Sequence, residues 1–573
     1  MKLAIAQLNP TIGDVRGNTD LVLDAIDKAK AEGADLLITP ELVIVGYPPR
    51  DLLFRNGVVE ACENAVKLIA DQTGDMHVIV GHPRRCSNGE KPFYNSASVC
   101  NNGRVITVYD KRLFPGYDVF DEDRYFQAGD KTCVVEIAGK RIGLLICEDL
   151  WRAQDALAER SYELEPVKET IDAGCDLILS LNATPFVVGK CQKRVKLMQS
   201  AARSIGKPIV AVHQVGANDD LIFDGRSVVV GADGEIADML PAWESCVRRV
   251  EITGKSISVN QDPMHELYNA LVLGVHDYCH KTGNKRVVLG LSGGIDSAVA
   301  ASIAAAALGP ENVTGVLMPS RYSSTGSIED ARALEANLGL AKCPQLPIES
   351  VHHAIEAVLQ EHLHDQAAGI TDENVQSRVR GILLMGFSNA SSGLVLATGN
   401  KSEIATGYTT LYGDMCGAIF VIGDVVKTRV FELARWMNEN YDECGFDKPP
   451  IPDGSITKPP SAELRPNQTD QDTLPEYEVL DEIVQRYIEQ EQSADQIAAL
   501  PHLDTDLVLK TTRMIDLAQY KRDQAAIVLK VTPRAFGRGR PMPVVMNCDV
   551  GVRSQESGVR GEKRGDRSVE CQQ

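Results

Sequence analysis

Val287-Val-Leu-Gly-Leu-Ser292-Gly-Gly-Ile-Asp296-Ser297, just past the midpoint, is the stretch that decides the fold of this chain. Its first residues are an apolar run typical of a strand, and a glycine loop follows. The alanine-rich segment 298–308 then predicts a helix, which Gly309-Pro310 would end. A glycine loop between a strand and a helix aims backbone N–H groups and the positive helix end at phosphate. The stretch therefore predicts a cradle for pyrophosphate.

The same loop has other interpretations, and the loop alone does not separate them. It matches an ordinary turn, although it is not a Walker loop because no Gly-x-x-x-x-Gly-Lys-Ser/Thr is present. Gly290-Leu-Ser292-Gly-Gly294 also matches the Gly-x-Ser-x-Gly elbow of serine hydrolases, which has the same strand–turn–helix setting. That elbow needs a downstream histidine, and the candidates are His352, His353, His362, His364 and His502.

Size and charge limit the class of protein. A chain of 573 residues with 44% hydrophobic and 24% charged residues is typical of a globular protein with several domains or two large ones. The net charge of -20 argues against nucleic-acid or anionic-membrane partners, but not against one bound nucleotide. No apolar run approaches the ~20 residues of a membrane span.

The start of the chain and its cysteines bear on the compartment. The first strand-like run reaches Asn9-Pro10 too soon for a signal peptide. The 14 cysteines form no Cys-x-x-Cys pair and no zinc spacing. We therefore expect reduced thiols in a cytoplasmic protein.

The first half of the chain mixes parallel-type units with hairpins. Strand candidates are 2–9, 35–39, 77–81, 142–147, 176–181 and 208–213, and helical patterns cover 18–32, 57–72 and about 190–205. Asn102-Gly103, Ala138-Gly139 and Asp233-Gly234 are hairpin signals between apolar runs. The pattern predicts an α/β domain, residues 1–262, in which two packed sheets have helices outside.

Three strand ends in this half carry reactive side chains. Glu41 ends Leu36-Leu-Ile-Thr-Pro-Glu41, Lys111 follows the strand of a hairpin, and Cys147 follows the apolar run that begins at Arg141. A glutamate can act as base and a cysteine as nucleophile, while a lysine can lower the thiol pKa and stabilise an oxyanion. Singly each is typical of an ordinary buried or solvated residue, but together they can attack an amide carbonyl.

The context of these three residues resembles the nitrilase (carbon–nitrogen hydrolase) superfamily over roughly residues 1–250, which implies an α-β-β-α sandwich. The stretch 114–129 is similar to the glutaminase domain of glutamine-dependent NAD synthetases. The resemblance implies that Glu41, Lys111 and Cys147 are catalytic and that Tyr117, Thr184 and Lys190 hold glutamine. The family usually has serine where this chain has Thr184, which keeps the hydroxyl and adds a methyl group.

Strands alternate with helices in the second half, which predicts a doubly wound parallel sheet in a domain of residues 263–548. Ser292 and Thr398 each follow such a strand, as a single nucleotide site requires. The segment after Ala397 supplies a hydroxyl in Thr398, a cation in Lys401 and a carboxylate in Glu403. Asp296 and Glu403 are suitable oxygen ligands for Mg²⁺, which borrows further ligands from phosphate and water.

These features resemble the ATP-pyrophosphatase family and, more narrowly, the synthetase domain of bacterial-type NAD synthetases over about 265–548. The resemblance disfavours the serine-hydrolase elbow. It implies that ATP contacts Gly290, Leu291, Ser292, Gly293, Gly294, Ile295, Asp296, Ser297 and Thr398. It implies likewise that Asn374, Glu403 and Lys521 contact deamido-NAD. Gly539 lies between Arg538 and Arg540, where the family usually has an acidic residue, so this chain departs from the family there.

The resemblance implies a two-site enzyme that takes ammonia from glutamine and uses ATP and Mg²⁺ to convert deamido-NAD to NAD. Two alternatives stay open: an amidoligase of another adenylated carboxylate, and an amidase with a regulatory nucleotide-sensing domain. The family also suggests a homodimer or a larger homo-oligomer.

Residues 444–475, rich in proline and polar residues, predict a loop over the second site. The tail 549–573, rich in glycine, serine and charge, predicts disorder.

Overall fold

The computed structural model describes residues 1–151, 162–254, 257, 262–341 and 343–546. The chain forms two compact units, Met1–Asp277 and Tyr278–Gln573. The predicted boundary at 262 falls just before the helix Pro263–Lys281, whereas the division between the units falls inside that helix. The predicted tail 549–573 lies outside the described residues. Within the described ranges, no helix has the length and apolar content needed to cross a bilayer.

The first unit consists mainly of strands. They are β1 (Leu3–Gln7), β2 (Leu36–Ile38), β3 (His77–Arg85), β4 (Phe93–Asn101), β5 (Arg104–Asp110), β6 (Val134–Ile137), β7 (Lys140–Ile146), β8 (Leu177–Asn182), β9 (Ile209–His213), β10 (Val215–Asn218), β11 (Leu221–Asp224), β12 (Val228–Val230), β13 (Ile236–Met239) and β14 (Cys246–Val250). The helices are α1 (Val15–Ala31), α2 (Val58–Gln72), α3 (Pro166–Asp172) and α4 (Lys190–Ile205). One sheet has the order β14-β1-β2-β3-β4-β5, a second has β13-β12-β9-β8-β7-β6, and β10 and β11 form a hairpin.

Side-chain alternation along β1 shows how the layers pack. Leu3 and Ile5 join a core shared with the second sheet, whereas Ala4 and Ala6 face the helices α1 and α2. Successive strand residues point to opposite faces, and small alanines let helices approach closely. Helix α4 covers the second sheet through residues such as Val195. The predicted sandwich of two sheets between helices is confirmed.

The second unit contains the strands β15 (Val287–Gly290), β16 (Val313–Val316), β17 (Leu394–Ala397), β18 (Ile419–Phe420) and β19 (Ile527–Val528). Its helices, with the helix that leads into it, are α5 (Pro263–Lys281), α6 (Ile295–Leu308), α7 (Thr325–Leu338), α8 (Glu349–Leu363), α9 (Ile370–Ser391), α10 (Lys401–Thr406), α11 (Lys427–Glu439), α12 (Asp453–Thr457), α13 (Tyr477–Val484), α14 (Ala494–Ala498), α15 (Thr505–Leu517) and α16 (Gln519–Arg522). Neighbouring strands are all parallel, as predicted.

In the strand order β16-β15-β17-β18-β19, the chain adds β16 on one side of β15 and then continues with β17 on the other side. Ligands of open parallel sheets bind beyond the carboxyl ends of the strands at such a switch point. Ser292 and Thr398 follow these two strands. Helix α6 begins at Ile295, earlier than the predicted alanine-rich segment, so Asp296 and Ser297 belong to its first turn.

Candidate functional site

Three strand ends in the first unit bring Glu41, Lys111 and Cys147 into one buried group. The Nζ of Lys111 donates to Glu41 Oε1 and to Glu122 Oε2, each at 2.7 Å. Glu41 also accepts a hydrogen bond from Asn95 Nδ2 at 2.8 Å and from the backbone N–H of Ala183 at 3.1 Å. These partners hold both carboxylate oxygens of Glu41 in place.

Burial and neighbouring charge determine the protonation of this group. Burial, followed by the Glu41 charge, raises the pKa of Cys147 well above its ordinary value, although Lys111 opposes the shift. A raised pKa favours the neutral thiol of Cys147, whereas Lys111 alone would lower this pKa and favour the thiolate. Burial alone would lower the pKa of Lys111, but Glu122 and Glu41 raise it well above its ordinary value. Burial raises the pKa of Glu122.

Cys147 has a positive φ of 46° and opens the 3-10 turn Cys147–Leu150. A non-glycine residue in this region is strained, and such strain is common at reactive positions. The backbone N–H of Ile146 donates to Asp149 Oδ2 at 3.1 Å, which ties the end of β7 to the turn. The turn therefore fixes the direction of the Cys147 side chain.

Asp149 also fixes the segment that carries Lys111. Its Oδ1 accepts hydrogen bonds from the backbone N–H groups of Arg112 at 3.0 Å and Leu113 at 2.8 Å. Its Oδ2 accepts a hydrogen bond from the hydroxyl of Tyr109 at 2.8 Å. Burial raises the pKa of Asp149 to about 6. One buried carboxylate thus connects the lysine segment to the cysteine turn.

Two of the three predicted glutamine-binding residues lie near the thiol or its neighbour. Thr184 Oγ1 lies 3.9 Å from Cys147 Sγ. The hydroxyl of Tyr117 donates to Glu148 Oε2 at 3.3 Å, and that of Tyr162 donates to Glu148 Oε1 at 2.5 Å. Polar side chains therefore lie beside Cys147 and its neighbour Glu148.

Lys190 begins helix α4, and its Nζ lies 3.4 Å from the carbonyl oxygen of Pro185. It does not line the small cavity beside the thiol, which has a volume of about 30 Å³. The described residues lining that cavity are Cys147, Leu150, Trp151, Asn182, Thr184, Arg194, Leu197, Met198, Ala201 and His213.

The glycine loop of the second unit is held by its own hydroxyls. Ser292 Oγ lies 3.0 Å from Ser297 Oγ, and the backbone N–H of Gly294 donates to Ser292 Oγ at 3.2 Å. Gly293 has a φ of +78°, and a Cβ there would lie 2.0 Å from the carbonyl oxygen of Ser327. No other residue type fits this position without moving the backbone.

A cavity of about 300 Å³ opens above the loop, within the size range of ligand pockets. Its lining contains predicted residues of the nucleotide site: Gly290, Leu291, Ser292, Gly294, Ile295, Asp296, Ser297, Thr398 and Glu403. Gly293 is not part of this lining. Among the described residues, no histidine lines the cavity, so the hydrolase elbow lacks its base.

Carboxylates gather on one side of this cavity around a single ammonium group. Lys427 Nζ donates to Asp296 Oδ2 and lies 3.5 Å from Glu403 Oε1. Burial, followed by the Asp296 charge, raises the pKa of Glu403 to about 8, and Asp470 adds to this shift. Asp296 and Glu403 offer two oxygen ligands, which fit a divalent cation that takes its further ligands from phosphate and water. In the described part of the chain, no group of three or more His, Cys, Asp or Glu has a metal-site arrangement.

The prediction that Lys401 supplies a cation to this site is wrong. Its buried Nζ lies 2.9 Å from Asp424 Oδ1 and 2.6 Å from Glu489 Oε1, and it does not line the cavity. Asn400 and Glu403 cap each other at the start of α10, which fixes the helix rotation. Residues two apart differ by about 200° around a helix, so Lys401 faces the side opposite to Glu403.

The two other residues expected to bind deamido-NAD lie against the segment that follows α10. Asn374 Oδ1 accepts a hydrogen bond from Thr410 Oγ1 at 2.8 Å. Lys521 Nζ donates to the carbonyl oxygens of Gly407 at 2.8 Å and Thr409 at 2.7 Å. Neither lines the cavity above the glycine loop.

The predicted loop over the second site is confirmed, because part of 444–475 lines the cavity. Ser455 Oγ donates to the carbonyl oxygen of Gly293 at 3.0 Å. Lys458 Nζ donates to Ser327 Oγ at 2.8 Å. Sequence reasoning missed Lys458, Lys427 and Glu122, because no local pattern marks them.

Similarity to known proteins covers both units. Residues 2–259 match the family model "Carbon-nitrogen hydrolase", and residues 267–525 match "NAD synthase". The glutamine-dependent NAD(+) synthetases of Synechocystis sp. and Acinetobacter baylyi are 43% and 39% identical to this chain, each over 95% of this chain and 98% of the relative. The crystallised glutamine-dependent NAD(+) synthetase of Acinetobacter baumannii in complex with ADP is 38% identical, with a TM-score of 0.74 over 95% of this chain and 98% of that one. The chain therefore belongs to the family of glutamine-dependent NAD(+) synthetases.

Proposed function

We propose that this protein hydrolyses glutamine to glutamate and ammonia, adenylates deamido-NAD with ATP, and amidates the adenylate to give NAD and AMP. The observation that carries the proposal is the presence, in one chain, of the buried Glu41–Lys111–Cys147 group and the Ser292–Ser297 loop. An amidase alone needs no nucleotide loop, and an ammonia-dependent synthetase alone needs no thiol site. Full-length similarity to the family supports deamido-NAD as acceptor over another carboxylate.

At the first site, Glu41 takes the proton of the Cys147 thiol, and the thiolate attacks the side-chain amide of glutamine. Lys111 stabilises the tetrahedral oxyanion, and Glu41 passes its proton to the amide nitrogen so that the carbon–nitrogen bond breaks and ammonia leaves. Water then releases glutamate from the thioester. General base catalysis of this kind is worth roughly 10²–10⁴ in rate, and an oxyanion donor about 10²–10³. We assign Tyr117, Thr184 and Lys190 to the amino-acid end of glutamine.

At the second site, the nicotinate carboxylate attacks the α-phosphorus of ATP and pyrophosphate leaves. The N–H groups and hydroxyls of Ser292–Ser297 bind the departing pyrophosphate, so Ser292 is a phosphate ligand and not a nucleophile. Thr398 contacts ATP. Ammonia then displaces AMP to form the amide. We assign Asn374, Glu403 and Lys521 to deamido-NAD.

Asp296 and Glu403 would hold Mg²⁺ at this site. When bound, the cation supplies charge neutralisation for the phosphates of ATP. The ammonium of Lys427, which donates to Asp296 Oδ2 and lies 3.5 Å from Glu403 Oε1, holds both side chains at the edge of the cavity.

The test compares wild type with Cys147→Ala, given ATP, Mg²⁺, deamido-NAD and either glutamine or ammonium. The variant should lose NAD synthesis from glutamine and keep synthesis from ammonium. Cys100→Ala, which removes a different buried thiol, is the control and should keep both activities. No NAD from either nitrogen source with wild type would overturn the proposal, and an inability to use deamido-NAD with activity on another carboxylate would change the acceptor.

We also infer a cytoplasmic homo-oligomer. Support for the compartment comes from the cysteines, which are thiols throughout the described residues. Light scattering coupled to size-exclusion chromatography tests the oligomeric state, and a mass equal to one chain would contradict it.

A further inference from the structure

The small cavity beside Cys147 is distinct in size from a substrate pocket. Its volume is about 30 Å³, whereas one water needs roughly 10–15 Å³ measured in this way. The cavity therefore has room for about two waters and is too small for glutamine. Its lining includes the apolar side chains of Leu197, Met198 and Ala201 on α4, and the imidazole-bearing His213 at the end of β9.

Two of the residues that line the cavity have buried nitrogen atoms without protein partners. His213 is only 2% exposed, and within the described ranges neither of its ring nitrogens has a hydrogen-bond partner. The same holds for the Nε of Arg194, whose Nη atoms lie 3.3 and 3.4 Å from the Asp224 carboxylate. Buried polar atoms are almost always paired, and an unpaired one costs about 1–3 kcal/mol. These atoms thus require a small polar guest.

We propose that this cavity is a water-binding site, held by His213 and Arg194, that supplies the water for hydrolysis of the Cys147 thioester. The inference rests on the proposed glutamine hydrolysis and adds a residue to it. Thr184, which lies 3.9 Å from the Cys147 sulfur, borders the same space.

The chemistry of His213 suits this task. Burial, followed by the charges of Arg194 and Lys190, lowers the pKa of His213 well below its ordinary value. A neutral imidazole has one donor and one acceptor nitrogen, so it can orient water without adding charge. The water oxygen bonds to the thioester carbon and its proton passes to Glu41. The carbon–sulfur bond then breaks, Glu41 returns the proton to sulfur, and glutamate leaves.

The test measures the two halves of glutamine hydrolysis in the full-length protein with ATP, Mg²⁺ and deamido-NAD. In His213→Phe, the first turnover of ammonia release should stay within about twofold, because acylation does not use this water. Steady-state glutamate release should fall about tenfold, as expected for loss of one hydrogen bond to the water. Intact-mass analysis after acid quench should show the glutamyl thioester accumulating on Cys147, and hydroxylamine should restore turnover by replacing water.

Two further variants keep the test decisive. His213→Asn retains a donor and an acceptor and should accumulate less thioester, and it serves if His213→Phe does not fold. His82→Phe is the control: His82 is buried too, but its ring nitrogens contact Ser98 Oγ and the Pro83 carbonyl. It should accumulate none. Equal slowing of both halves without thioester, or unchanged turnover, would overturn the water site. Failure of the Cys147→Ala test would instead overturn the proposed function.

Discussion

In the first unit the ammonium of Lys111 lies 2.7 Å from both Glu41 and Glu122, whereas in the second unit Lys427 lies between Asp296 and a Glu403 oxygen 3.5 Å away. The first group is closed, because its carboxylates have further hydrogen-bond donors. In the second, burial, followed by the charge of Asp296, raises the pKa of Glu403 to about 8. The comparison fits the proposed function, in which the first site works with its own residues and the second is completed by a cation and a nucleotide.

The largest expected effect is that of Glu41→Gln on the closed site. The amide keeps the shape of the side chain but cannot take the thiol proton, so glutamine hydrolysis should fall by roughly 10²–10⁴. NAD synthesis from ammonium should stay near wild type, because the residues that we assign to ATP and deamido-NAD all lie in the second unit. Ammonia release and NAD formation, measured in parallel, check this. An equal loss of NAD synthesis from glutamine and from ammonium would contradict the assignment of glutamine hydrolysis to the first unit and of NAD synthesis to the second.

A smaller but still large effect is expected for Asp296→Asn at the second site. Removing one carboxylate from the cluster should reduce ammonium-driven NAD synthesis by about a hundredfold and raise the Mg²⁺ concentration needed for half activity. Titrating Mg²⁺ against activity in wild type and variant measures both. An unchanged Mg²⁺ requirement would remove Asp296 from the metal site.

Asp149→Asn tests how the closed site is held. An amide cannot accept all four hydrogen bonds, so glutamine hydrolysis should fall about tenfold or more through misplacement of Lys111 and Cys147. Ammonium-driven synthesis is the internal control and should persist. Similar activity in variant and wild type would show that the turn keeps its shape without this carboxylate.

The same variant gives a pH prediction. Because burial raises the pKa of Asp149 from 3.8 to about 6, the stability it contributes is present below about pH 4 and lost as the pH rises through about 6. The free energy of unfolding of wild type minus that of Asp149→Asn should therefore be larger near pH 4.5 than near pH 7.5. Urea unfolding at the two pH values measures it, and a constant difference would contradict the raised pKa.

The smallest expected effect is that of Thr184→Ser. The hydroxyl 3.9 Å from Cys147 Sγ remains and only a methyl group is lost, so kcat/KM for glutamine should change by no more than about threefold. Thr184→Val removes the hydroxyl and should raise KM further. Equal kinetics for serine and valine variants would show that the hydroxyl does not bind glutamine.

Much of the closed site could be predicted from sequence because Glu41, Lys111 and Cys147 each follow a strand, and strand ends have local patterns. Glu122 could not, since it begins a 3-10 turn in a loop and reaches Lys111 only through the tertiary fold. Its nearest signal was its place in the stretch 114–129.

At the second site the loop and switch point were predictable, because strand, glycine and helix are contiguous there. The cation was not. Lys427 opens α11 and meets Asp296 across 131 residues of chain, so no spacing reveals it. Lys401 was the local candidate, but the capping of α10 turns its side chain toward Asp424. The partners of Lys401, Asp424 and Glu489, lie far along the chain, so the short segment does not reveal them.

The most direct test of the two-site account follows the nitrogen itself. Wild type is given glutamine labelled with heavy nitrogen in its side-chain amide, together with unlabelled ammonium, ATP, Mg²⁺ and deamido-NAD, and the NAD is analysed by mass spectrometry. The account predicts labelled NAD from wild type and only unlabelled NAD from Cys147→Ala. Unlabelled NAD from wild type, or labelled NAD from the variant, would contradict it.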